Sequence, residues 1–143
     1  MDFSLSNDQI ALQETVRKFA SRELQGIATD IEKTGMSPGP ETIKKFSELG
    51  LLGINLPAIH GGHGLSHLDA VIVLEEVAKV SPAVAFPIFE SCFGPVLAIS
   101  HYANEALKRR VVPKVCSGEM IVAIAMSEPN SGTALTDLLL IKF

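Results

Sequence analysis

The sequence predicts a mostly α-helical fold: a helical bundle over residues 1–117, followed by the start of an incomplete β unit over residues 118–143. Three observations predict it. Apolar residues recur at spacings of three and four through most of the chain, the period of a buried helix face. Helix-start signatures precede those runs at Ser6, Ser66, Ser81 and Asn104. After the turn Ser117-Gly118-Glu119 the spacing changes to a short run rich in β-branched residues, 120–126, which predicts a strand.

Taken in order, Ser6-Asn7-Asp8-Gln9 has the Ser-x-x-Gln form of a capping box and starts a long helix. Leu12, Val16, Phe19, Ala20, Leu24, Ile27 and Ile31 form its apolar face, and Gly26 weakens its middle. Thr34-Gly35 and the stretch Ser37-Pro38-Gly39-Pro40 end it. A shorter helix from about Glu41 carries Ile43, Phe46 and Leu49, with Gly50 as its stop and Leu51 folding back onto it. Residues 57–64 form a loop with Gly61, Gly62 and Gly64. Ser66-His67-Leu68-Asp69 is a second capping box. The helix it opens, to about Lys79, is apolar nearly all round (Leu68, Val71, Ile72, Leu74, Val77, Ala78), which predicts a central position in the bundle. Ser81-Pro82 caps the next helix, Asn104 the last one, with Leu107 and Val111 inward and Pro113 at its end. A second apolar run, residues 138–141, follows the strand; one or two strands do not make a stable sheet alone.

Composition narrows the function classes. With 47% hydrophobic and 20% charged residues, the chain has the balance of a folded globular protein. Its mean hydropathy of +0.30 implies an unusually apolar core, or apolar surface that packs against something else. A net charge of −4 gives no electrostatic footprint for nucleic acid and no basic face for an anionic membrane. The short cluster Lys108-Arg109-Arg110 reads as a solvated helix face. Residues 83–99 are nearly all apolar, but Pro87, Glu90 and Gly94-Pro95 interrupt them, which predicts a kinked core helix rather than a membrane span. Cys92 and Cys116 lack metal or redox spacing, Cys92 is expected to be a buried thiol, and no secretory signal is visible. Together these set the expectation of a reducing, cytoplasmic location.

Few residues carry chemistry by type and spacing. His60, His63 and His67, with Asp69, have spacing that could hold a metal, yet two lie in a glycine loop and one on a first helical turn, so no metal site is expected. His101 has no acid or nucleophile partner in sequence, and no nucleophile elbow or phosphate-binding glycine loop is present. Glu90 is alone in an apolar helix, where a carboxylate is costly unless it is paired, protonated or facing a cavity. With Phe86, Phe89, Phe93 and Gly94 it marks either a helix with one wet edge or the wall of an apolar ligand pocket. Ser127-Glu128-Pro129-Asn130-Ser131-Gly132-Thr133, at the end of the expected strand, offers hydroxyls and free backbone N–H groups. Gly132 there lets the backbone approach a flat ligand.

That loop resembles the T/S-E-P-x-x-G-S/T hallmark of the acyl-CoA dehydrogenase family. Three other stretches are similar in order and spacing: FSLSNDQIALQETVRKFASREL, ELGLLGINLPAIHGGHGLS and NEALKRRVVPKVCSGE, so that the resemblance covers residues 3–138. It implies an N-terminal helical domain entering a middle β domain, and FAD as cofactor. By the same resemblance Ile124, Met126, Ser127, Gly132 and Thr133 contact the flavin, and Thr133 also touches the pantetheine arm of an acyl-CoA thioester. Phe86 and Glu90 would border the acyl cavity, although no motif fixes these two. The reaction implied is α,β-dehydrogenation, with a carboxylate base that the family carries on a C-terminal bundle; no catalytic residue of this chain matches that base. An electron-transfer acceptor protein and homo-oligomerisation are implied as well. Ala134 stands where the family often has Asp, and Ala58, Ile59 and His60 replace its usual acidic residues and Tyr. Two other readings compete with a catalytically silent dehydrogenase portion. One is part of a related acyl-CoA oxidase or flavin monooxygenase, the other a non-catalytic acyl-binding or assembly module.

Overall fold

Side chains cap four helices where the sequence marks their starts. In the computed structural model, which describes residues 4–129 and 131–133, these are α1 (Asn7–Phe19), α4 (His67–Ala78), α5 (Pro82–Cys92) and α7 (Glu105–Cys116). Completing the set are α2 (Gln25–Thr34), α3 (Pro40–Glu48) and α6 (Pro95–Tyr102). The fold is mostly helical, as expected, with no strand among the described residues. Both capping boxes close: Ser6 Oγ accepts the Gln9 N–H and Ser66 Oγ the Asp69 N–H, each at 3.2 Å. The two boxes also bond to each other, Gln9 Nε2 donating to Asp69 Oδ1 at 3.0 Å.

That bond lines up α1 and α4 from their N-termini, and a second contact farther along holds the register. Arg17 Nε and Nη2 each donate to the Glu76 carboxylate at 3.0 Å, and Lys79 Nζ adds a bond of 2.8 Å. Only 1% of the Glu76 side chain is exposed. Arg17 hydrogen bonding, against the opposing effect of burial, pulls Glu76 down to about 2.

The first helix does not run straight. A π turn, Ala20–Leu24, joins α1 to α2 and takes Ala20 and Leu24 into the core. Gly35, at φ 66°, then ends α2 with its N–H bonded to Ile31 O. At the end of α3, Leu51 N–H bonds Phe46 O and Gly50 N–H bonds Ser47 O, a Schellman stop that buries Leu51. Leu49, expected on the buried face, is 53% exposed, because it sits at the cap where the chain leaves the helix; Thr42 joins Ile43 and Phe46 inside instead. Burying Phe46 and Leu24 completely contributes roughly 1.5–3 kcal/mol each.

α4 packs between α1 and α5. It is not enclosed all round as its composition predicts: Ala70, Ile72, Val73 and Val77 are buried, whereas Leu68 and Val71 stay nearly half exposed. The apolar stretch Pro82–Tyr102 is long and apolar enough to cross a membrane by length and composition. It breaks into α5 and α6 at Phe93-Gly94, and Val84, Ala85, Ile88, Cys92 and Val96 lie in the core. Pro113 does not end α7, which runs on to Cys116 because Val111, Val112 and Val115 pack its last turns against Leu56 and Val96.

Beyond Gly118, at φ 76°, the expected strand over residues 120–126 is absent. The segment has no partner strand among the described residues, and it instead lays Met120 and Val122 against the α6–α7 core. The apolar run at 138–141 lies outside the described residues.

Candidate functional site

The termination of α2 shapes a hollow. Gly35 turns the chain away from α2, so Met36, Ser37 and Pro38 arch over toward α5. On α5, Phe86 and Glu90 are one helical turn apart and share a face. Residues 121–123 close the third side. The cavity between them measures about 630 Å³, within the range of small-molecule sites (roughly 300–1,000 Å³). Its described lining is apolar apart from Ser37, Glu32 and Glu90, and contains no basic side chain.

Glu90 Oε2 is buried without a hydrogen-bond partner among the described residues. Burial pushes the Glu90 carboxyl up, since nothing stabilises its charged form. Gly94 makes room for it: a Cβ there would lie 2.5 Å from Glu90 Oε2 and 3.0 Å from Glu90 Cα. The rings of Phe86, Phe89 and Phe93 follow one another along α5 at 5.6 and 6.1 Å, and Phe86 is 57% exposed. Glu90 lines this hollow, on the same face of α5 as the exposed Phe86.

The loop residues sit apart from this lining. Ile124 and Met126 are exposed large hydrophobics, and Ser127, Gly132 and Thr133 are exposed as well. Glu128 and Ser131 close the turn through a pair of backbone bonds at 2.8 and 3.2 Å. Between residues 121 and 127 the backbone makes no hydrogen bond to another described residue. A Cβ on Gly132 would meet nothing within 4 Å. Two apolar side chains, a hydroxyl and backbone groups that bond no other described residue fit a flat ring with a polar edge such as a flavin. The structure therefore brings Phe86 and Glu90 together with residues 121–123. The five loop residues follow directly in the chain but do not enter the cavity.

The histidines point to three places. His60 is buried with Nε2 3.7 Å from Glu105 Oε2, His63 lies against Gly50, and the His67 ring meets Phe93 edge-on. No three metal-ligating side chains converge among the described residues. Burial pushes the Cys116 thiol up to about 11 and raises the buried Cys92 too, which disfavours a reactive thiolate at either. His101 is exposed near the end of α6. Sequence reasoning missed Ile31, Met36 and Ser37 as cavity residues. The available signal was the Gly35 stop followed by Pro38, which marks where the chain must leave the helix and bend.

Comparison with known proteins agrees with this architecture. A family model described as acyl-CoA dehydrogenase, N-terminal domain, matches residues 6–119. The mitochondrial isovaleryl-CoA dehydrogenase of Pongo abelii is 36% identical over 135 residues, covering 94% of this chain and 32% of the relative. A glutaryl-CoA dehydrogenase solved in complex with glutaryl-CoA superposes with a TM-score of 0.87 and 32% identity, over 96% of this chain and 35% of that one. The electron transferring flavoprotein structure from Acidaminococcus fermentans superposes with a TM-score of 0.86 and 26% identity, over 96% of this chain and 36% of that one. The chain spans about a third of the length of the curated relatives it matches.

Proposed function

The chain belongs to the acyl-CoA dehydrogenase family, a family of oxidoreductases, through its N-terminal domain, and from that premise we propose that it serves flavin-dependent α,β-dehydrogenation of acyl-CoA thioesters. The observation that carries the reading is the family match over residues 6–119, continued into a loop whose exposed residues suit a flavin. Ile124 and Met126 cover the ring, while Ser127, Gly132 and Thr133 meet its polar edge. FAD, when bound, supplies the hydride acceptor. Thr133 also holds the pantetheine arm. Phe86 and Glu90 border the acyl group, and the absence of basic side chains from the described lining suits an acyl end and leaves the CoA phosphates outside.

The proton-abstracting carboxylate is not assigned to this chain, so the polypeptide alone is catalytically silent. An electron-transfer protein takes up the electrons, self-association covers exposed apolar surface such as Leu68 and Val71, and the protein works in the cytoplasm. Titrating the 143-residue chain with FAD while following Ile and Met methyl resonances tests the cofactor assignment. Shifts at Ile124 and Met126, with Ile72 unmoved, are expected; shifts confined to other residues contradict it. Steady dye reduction by the chain with an acyl-CoA would overturn its catalytic silence.

A further inference from the structure

We propose that the cavity beside α5 takes an acyl group carrying a hydrogen-bond donor, a hydroxyl or an ammonium, at the end remote from its thioester, and that Glu90 reads that donor. This rests on the assignment of the cavity to the acyl chain. Two independent observations point to a donor. Glu90 Oε2 is buried without a partner among the described residues, whereas buried side-chain oxygens are nearly always bonded. The described lining also holds two carboxylates, Glu32 and Glu90, and no Lys, Arg or His.

Each alternative end group fares worse on that lining. A plain alkyl end strips water from the Glu90 carboxyl and returns nothing to it. A carboxylate end finds no donor on Glu90 when that group is ionised, and meets like charge there and at the exposed Glu32. A donor is accepted by Glu90 in either protonation state, since both the carboxylate and the acid retain acceptor oxygens. The last torsion of a glutamate is broad, so rotation about it can exchange the shielded and open oxygens at low cost. Gly94 belongs to the same arrangement, because any Cβ there would push the carboxyl from its place.

A matched six-carbon series bound to the purified chain tests the proposal: hexanoyl-CoA, 6-hydroxyhexanoyl-CoA and adipoyl-CoA. Affinities come from titration, with the Ile31 and Ile121 methyl resonances reporting occupancy of the cavity. The hydroxylated ligand is expected to bind about tenfold tighter than hexanoyl-CoA, the size of one hydrogen bond to a charged group, with adipoyl-CoA weakest. Glu90→Leu is expected to abolish the hydroxyl preference. Glu90→Gln keeps that preference and reduces the discrimination against adipoyl-CoA. Equal affinity for hexanoyl-CoA and its hydroxylated analogue, with Ile31 and Ile121 both shifted, overturns the donor proposal and leaves the acyl assignment standing. No shift at either methyl with any of the three overturns the acyl assignment and the proposal together.

Discussion

Glu76 on α4 and Glu90 on α5 are both carboxylates set in apolar helices, and the fold treats them oppositely. Glu76 meets Arg17 with two hydrogen bonds and Lys79 with a third, and its carboxyl falls to about 2. Glu90 Oε2 meets no donor among the described residues, and burial raises its carboxyl instead. The first residue fixes how two helices sit against each other. The second leaves a polar demand unmet beside an empty volume of ligand size. A buried acid with partners is thus a piece of architecture, and a half-buried one without partners among the described residues keeps an acceptor open beside the cavity.

Breaking the paired site should have the largest effect. Glu76→Ala is expected to lower the unfolding free energy by about 3 kcal/mol in chemical denaturation, the low end for a broken buried ion pair because Arg17 and Lys79 are half exposed. The pH dependence follows with a definite sign. Glu76 binds its proton more weakly folded than unfolded, so its contribution is complete above the ordinary value of 4.5 and is lost as pH falls toward about 2. Denaturation midpoints across that window should decline less steeply in Glu76→Ala than in the parent chain.

Smaller effects sharpen the other half of the comparison. Gly94→Ala should cost about 1 kcal/mol by crowding Glu90, read from the same denaturation curves. Glu90→Gln should have the smallest effect, and its sign is opposite to that at Glu76. Folding holds the Glu90 proton more tightly, so the charged form disfavours folding increasingly as pH rises above 4.5. The variant should therefore melt slightly higher than the parent at pH 7, and the two should melt together at acid pH below 4.5, where Glu90 is protonated in both states.

Local signals were legible in the sequence wherever one short motif decides an outcome. Ser6, Ser66, Ser81 and Asn104 cap their helices, and Gly35 and Gly50 stop theirs, because a hydroxyl, an amide oxygen or a left-handed glycine acts within three or four residues. What tertiary packing decides was not legible. Pro113 lies inside α7 because Val112 and Val115 hold the turn on either side of it. Leu68 and Val71 are open because α4 has neighbours on only part of its circumference. The run at 120–126 has no partner strand among the described residues, and sequence pattern alone does not supply one. In the cavity, α5 could be anticipated from Glu90 standing among apolar residues. The α2–α3 linker was marked only as a bend, by Gly35 and Pro38, since its residues carry no chemistry until the fold brings them opposite Phe86.

The contrast between the two carboxylates, and the assignment of one of them to an acyl site, can be measured together by following the Glu76 and Glu90 side-chain carboxyl carbons through a pH titration, with and without hexanoyl-CoA. The account predicts that Glu76 stays ionised far below 4.5 in both titrations, while Glu90 titrates above 4.5 and moves higher still when an alkyl chain covers it. A Glu90 titration that hexanoyl-CoA leaves unchanged, or a ligand response at Glu76 instead, would contradict it.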